Sequence, residues 1–254
     1  MTDTAAGAAA SMARFATNPA VATVLAQFLL GDKTHRQVFG SRDNALTFIP
    51  QILTAFGVSP TTARIVRGAT EVFSEQGVAA TSVEHVLRAA KVSRRTFYKH
   101  FESKEQLVDV LFITTDALLT GVFEASWERD GDAIENLRRS IRAFIRGFAL
   151  AGHLLRALFV EALRPGTRLQ QIYSERLDNH VAMAKPEMDR ASGFSVDPRL
   201  VRSLLLALQV TVTDAGVAPE TSAVDVSQLE RRLCRVFEAT LLADDPRITP
   251  LPVA

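Results

Sequence analysis

Along most of this chain apolar residues return every three or four positions, the period of a helix with one buried face. Val21, Val24, Leu25, Phe28 and Leu29 make one such stripe. It lies between Asn18-Pro19, which reads as a cap and first helical position, and a stop at Gly31. Residues 1–12 are mostly Ala, Gly, Thr and Ser and predict a disordered tail. A second apolar segment runs from Ala45 to Phe56, is kinked or restarted at Pro50, and stops at Gly57. From Thr62 to Gln76, Ile65, Ala69, Val72 and Phe73 share the inward face, with Gly77 as the stop. Val83, Val86, Leu87 and Ala90 repeat the pattern over a short helix, for which Thr81 and Glu84 read as a capping box.

After a break at Lys91-Val92, Ser93 caps another short helix, whose large apolar residues are Phe97 and Phe101. Ser103 and Gln106 form a further capping box and open a long helix to about Ser126. Beyond it the pattern predicts helices at 132–151, 153–163, 167–189, 198–214 and 226–243. Breaks fall at Gly131, Gly152, Pro165-Gly166, Gly193 and residues 216–222. No segment alternates as a strand does and no internal repeat stands out, so the expected fold class is all-α. At 254 residues the chain can bury one sizeable core or two smaller ones.

Residues 81–107, TSVEHVLRAAKVSRRTFYKHFESKEQL, therefore hold two short capped helices around a tight break. The second leaves Arg94, Arg95, Thr96, Tyr98, Lys99 and His100 off its apolar edge. A helix-turn-helix needs such a free, basic face to enter a major groove. The whole chain carries a net charge of only +1, so no global field advertises nucleic acid. Yet from Arg88 to Lys104 six basic residues face one acid, Glu102, a local net of +5.

Residues 61 to about 112 resemble the N-terminal DNA-binding domain of the TetR family of one-component transcriptional regulators. The resemblance rests on VSRRTFYKHFESKEQL: Val-Ser, then Thr-Phe-Tyr, His-Phe and Ser-Lys-Glu. Lys91 departs from it, because the family usually has Gly in the turn. Arg94 and Arg95 are candidates for bidentate guanine contacts, and Thr96 for a base or phosphate. The resemblance adds Tyr98 and His100 as phosphate or base contacts and Lys104 as a phosphate contact, with Ser82 and Lys99 as further backbone contacts.

The resemblance also implies a C-terminal helical domain that dimerises and holds a small effector, whose binding releases DNA. Candidate pocket residues are Trp127, Phe144, Phe148, Phe159, Leu155, Tyr173 and Met183, with His153, Asp178, Asn179, His180 and Gln209 to orient the ligand. That lining points to a largely apolar molecule. In the family the last two long helices build the dimer, so Leu204, Leu205, Leu208, Val212, Leu229, Leu233, Val236 and Phe237 are seam candidates. The expected domains are an extension at 1–60, the DNA-binding domain at 61–110, the effector and dimer domain at 111–245, and a tail at 246–254.

The remaining signals exclude rather than identify. A single cysteine, Cys234, permits no intrachain disulfide and suits a cytoplasmic protein. No uninterrupted apolar run approaches the roughly 20 residues of a membrane span, and no basic start precedes the apolar stretch at 20–30, so neither a membrane nor a signal peptide is expected. His153 and His180 are isolated, Glu175, Asp178 and His180 have no metal-site spacing, and no HExxH, paired cysteines, GxGxxG or GxSxG occurs. Neither an enzyme nor a cofactor is expected. The extension either pads the core, covers the effector cavity, or docks a protein partner. In the last case the chain would be a helical interaction protein with weak or partner-controlled DNA binding.

Overall fold

The computed structural model describes residues 4–30, 53–55, 57–128, 130–214 and 226–242. Among them lie ten helices and no strand. In chain order they are α1 (Ala5–Ala16), α2 (Pro19–Leu30), α3 (Pro60–Ala80), α4 (Val83–Ala90) and α5 (Arg94–His100), then α6 (Lys104–Ser126), α7 (Ala133–Ala162), α8 (Arg168–Ser192), α9 (Pro198–Asp214) and α10 (Val226–Leu241). The all-α expectation holds.

The expected tail does not: residues 5–16 are α1. Alanine is the best helix former, and Thr4 caps the helix by accepting from the Gly7 amide at 3.3 Å. Its stripe of Ala8, Met12 and Phe15 is buried. α1 packs against α5 and α6, and α2 lies along α6 and α7. Among the described residues, the apolar face of α1 and Val21, Ala22 and Ala26 of α2 are thus taken up by their own chain, while Val24 is exposed. Of the segment expected at 45–56, only the helical residues 53–55 fall within the described residues, followed by Gly57 at φ 84°. The breaks at Gly31 and 216–222 and the tail at 246–254 fall outside them.

α6 is the axis of the molecule. By length and composition it is apolar enough to cross a membrane, which the search for an uninterrupted run missed because Asp109 and Asp116 interrupt it. Here α1, α2, α7 and α8 surround it. Asp109 is buried, and loss of solvent raises its carboxyl above the ordinary aspartate value although Arg168 on α8 lies 3.2 Å away.

α7 is the hub, touching α2, α3, α6, α8, α9 and α10. Its halves, Ala133–Phe148 and His153–Ala162, bend by about 100° at the break expected near Gly152. Arg146 donates to Glu230 at 2.7 Å and Arg138 to Glu238 at 2.6 Å, pinning α7 to α10. On α10 the Cys234 thiol is pushed up to about 11 by burial and by Glu238, so it stays protonated near neutrality.

Most of the seam candidates pack inside this chain. Leu204, Leu208, Val212, Leu233 and Phe237 are buried within this one chain, and Leu205 and Leu229 are half-buried against its core. The strongest apolar stripe of an amphipathic helix goes to its own core first. Val236 alone of the eight is well exposed, and Val210 and Leu200 are also exposed on α9.

Candidate nucleic-acid interface and internal cavity

α3, α4 and α5 form a compact unit. Phe73 from α3, Val86 from α4, and Phe97 with the adjoining Phe101 are all fully buried, each worth about 1.5–3 kcal/mol. Assigning Phe97 and Phe101 to packing is therefore correct. Gly77, at φ 79° and ψ 166°, turns the chain at the end of α3 as expected. The cap of α4 is one residue later than expected. Ser82 accepts from the His85 amide and His85 Nδ1 accepts from the Ser82 amide, while Thr81 instead donates to the Gly77 carbonyl at 2.7 Å. Ser93 caps α5 by accepting from the Thr96 amide at 3.1 Å.

Lys91 closes α4 at φ 53° and ψ 47°, the only non-glycine with positive φ among the described residues. A Cβ in this conformation costs about 1–2 kcal/mol. The greater freedom of glycine in the unfolded chain returns up to about 1 kcal/mol of that. Lys91→Gly should therefore stabilise the protein by up to about 1 kcal/mol, a rise of about 2–4 °C in melting temperature. A fall on thermal unfolding would mean that the lysine side chain contributes more than its backbone costs.

Around α5 the candidate contacts separate into two groups. Arg94, Arg95, Tyr98 and Lys99 are exposed, Tyr98 at 45%. Arg94 is ion-paired with Glu84 on α4. Thr96 is half-buried with its hydroxyl 2.8 Å from that of Ser93, and Ser82 is exposed at the start of α4. His100 and Lys104 are drawn inward. His100 is only 5% exposed, with Nδ1 3.0 Å from the Thr62 hydroxyl, so it packs α5 against α3 rather than facing outward. Lys104 Nζ donates to the carbonyls of Val78 at 3.1 Å and Thr81 at 2.9 Å. It neutralises the carbonyl end of α3, where a cation is favoured. No local pattern announces either role, because both partners lie more than twenty residues away.

What remains is an exposed, basic, capped helix held across a second helix by an apolar seam. Residues 65–111 match the family model described as bacterial regulatory proteins, tetR family. The chain carries a TetR-type DNA-binding domain. It is 24% identical over 176 residues to the HTH-type transcriptional regulator UidR of Escherichia coli K12, covering 66% of this chain and 85% of the relative. It is 28% identical over 147 residues to an HTH-type transcriptional repressor of Mycobacterium tuberculosis H37Rv, covering 52% and 77%. The fold is shared with the fatty acid degradation regulator FadR from Bacillus halodurans, with TM-score 0.63, 21% identity, and 71% and 95% coverage. It is shared too with a TetR-family regulatory protein from Rhodococcus RHA1, with TM-score 0.61, 18% identity, and 72% and 97% coverage. With that domain the chain is a DNA-binding transcriptional regulator and not an enzyme.

Between α6, α7, α8, α9 and α10 lies a cavity of about 850 Å³, counting the space at its mouth. Seven of the twelve candidates line it: Trp127, Phe144, Leu155, Phe159, His180, Met183 and Gln209. Phe148 is buried behind, stacked on Phe159 with centroids 5.5 Å apart. Tyr173 is buried with its hydroxyl donating to Gln209 Oε1 at 2.6 Å. His153 is half-buried and is not in the wall. Of the other polar candidates, Asp178 is exposed and ion-paired with Arg202, and Asn179 is exposed. Asp116, on α6, lines the cavity and was not foreseen. Its signal was a carboxylate on the stripe Phe112, Leu119 and Phe123, whose other members are all apolar.

Proposed function

We propose that this chain is a cytoplasmic, homodimeric repressor that binds palindromic double-stranded DNA and leaves it when a small, largely apolar molecule occupies the cavity. The observation that carries the DNA half is the exposed face of Arg95, Tyr98 and Lys99 on the capped helix α5, with Arg94 beside it on Glu84. In a two-fold dimer two such helices lie about one turn of DNA apart or somewhat more, so each half-site is read by one protomer. Ser82 and Thr96 sit where they can add contacts to phosphate, which fix register without reading sequence. The cavity supports the effector half: its lining is mostly apolar with a few polar groups among it. The ligand must bind the spacing that disfavours DNA more tightly than the spacing that favours it.

Selection from a random duplex pool at near-physiological salt tests the reading. A palindromic motif is expected. A folded, dimeric protein that enriches nothing would overturn it, and a motif without two-fold symmetry would overturn the dimeric mode.

The dimer is assigned to the outer faces of α9 and α10, where Val210 is 53% and Val236 51% exposed. Pairing these faces would bury an apolar patch that is costly to leave in water. The double variant Val210→Glu, Val236→Glu should be monomeric by light scattering, with helical content unchanged. It should lose operator affinity because one protomer engages one half-site. A dimer that survives both charges would place the interface elsewhere.

A further inference from the structure

Every polar side chain in the cavity wall has a partner inside the protein, with one exception. Trp127 Nε1 donates to Ser140 Oγ, Thr115 Oγ1 donates to the Leu111 carbonyl, and Gln209 Oε1 accepts from Tyr173. Thr120 just outside donates its hydroxyl hydrogen to the Asp116 carbonyl at 2.9 Å. His180 Nε2 lies 3.2 Å from both Thr120 Oγ1 and Asp116 Oδ1. With the threonine hydrogen already committed, Nε2 carries the hydrogen it shares with Thr120 Oγ1. The imidazole stands beside the Asp116 carboxylate at the cavity wall.

The exception is Asp116 Oδ2. Asp116 is only 9% exposed and lines the cavity, yet Oδ2 is a buried oxygen with no hydrogen-bond partner among the described residues. Arg176 Nη1 lies 3.6 Å from it, which balances charge but is too long for a hydrogen bond. Buried polar atoms without partners are rare in folded proteins, and one in a cavity wall is an acceptor awaiting a donor. Most of the rest of the wall is apolar, with Phe112, Leu119, Phe123 and Phe144 close in sequence or space to Asp116.

We propose that the effector of this chain is an amphipathic molecule with an apolar body and an uncharged, hydrogen-bond-donating head, a hydroxyl or amide, seated on Asp116. This rests on the cavity being the effector site. An anionic head such as a fatty carboxylate is selected against, because it would bring a second acceptor, and a second negative charge, to a carboxylate with no donor to share. A cation is not demanded, since Arg176 already offsets the charge of Asp116.

Trp127 is the only tryptophan of the chain and it lines the cavity, so its fluorescence reports occupancy. The experiment titrates the full-length protein with 1-decanol and with decanoate, the same chain carrying a donor and an anion, each below its solubility limit. Decanol is expected to bind at least tenfold more tightly. Asp116→Ala should bring the two within about twofold of each other. Asp116→Asn keeps the volume, removes the charge and puts an NH2 donor in the wall, so the preference should reverse toward decanoate. Circular dichroism checks that the variants are folded, and the asparagine variant decides if the alanine variant is not. Equal or tighter binding of decanoate by the wild type, or a preference that both variants leave unchanged, overturns the head-group assignment while leaving the cavity as effector site. No fluorescence change with either compound overturns both.

Discussion

The double variant Arg94→Ala, Arg95→Ala should bind its selected operator about 30- to 20,000-fold more weakly per half-site while its affinity for random duplex falls far less. A bidentate arginine-guanine contact is worth about 1–3 kcal/mol of discrimination, and each tenfold in affinity is about 1.4 kcal/mol. The two arginines do not start equal. Arg95 is exposed, whereas Arg94 is held by Glu84 from the preceding helix. Both partners of that pair are largely solvated, so releasing it costs at most about 1 kcal/mol, but the cost is subtracted from whatever Arg94 gains on DNA. Arg95→Ala alone should accordingly weaken binding more than Arg94→Ala. Each change should relax preference at one base pair per half-site. Competition binding against operators altered one pair at a time measures this. If every sequence weakens equally, the arginines contact phosphate and the base readers are elsewhere on α5.

Gly68→Val should dismantle the DNA-binding unit with the helices from α6 onward still folded. Gly68 lies where α3 crosses α4, and a Cβ built on it would sit 2.6 Å from the Ala90 amide nitrogen and 2.9 Å from the Ala90 Cα and Cβ. Two of those three atoms are backbone, so no rotamer change relieves the contact, and the helices must separate. Overpacking of a tight core typically costs about 1–3 kcal/mol, and a branched side chain against backbone belongs at or above the top of that range. Separation would pull Val86 and Ala90 away from Phe73 and Phe97 and tilt α5 relative to α6. DNA binding should be lost even at temperatures where circular dichroism remains mostly helical. Hydrogen exchange should show residues 60–100 opening before the rest. Retained operator affinity in this variant would mean that α3 and α4 cross less closely than the structure has them.

Helix boundaries were largely legible because their signals are local. Ser93, Ser103 and Thr167 cap α5, α6 and α8, and Gly77 and Gly193 adopt the positive φ expected of stops. The start of α4 was displaced by one residue because Thr81 and Ser82 are both competent caps. A bond from Thr81 back to Gly77 decides between them. α1 was missed because its alanines look like low complexity, although Ala8, Met12 and Phe15 already had helical spacing. Side-chain roles were less legible than elements. His100 and Lys104 are basic residues at a basic face, and only the packing of α3 shows that both turn inward. The seam candidates were less legible for the same reason: the strongest stripes of α9 and α10 serve this chain's own core, leaving the weaker stripe with Val210 and Val236 outside. Asp116 was passed over because an acid on an apolar stripe means nothing until the stripe is seen to wall a cavity.

The DNA-binding unit is joined to the remainder of the molecule at more than one place: covalently through α6, by α3 resting on α7, and by α1 lying across α5 and α6. A body tethered at one point can swing in every direction, and one held at two can only rotate about the line between them. A third, off-line support removes even that rotation, so a change in the distance between two reading heads requires one support to slide. The covalent joint cannot, which leaves the side-chain surfaces of α3 on α7 and of α1 on α5. Residues 5–16, far from the cavity in sequence, are in this mechanical sense part of what determines how stiffly the regulator holds its grip.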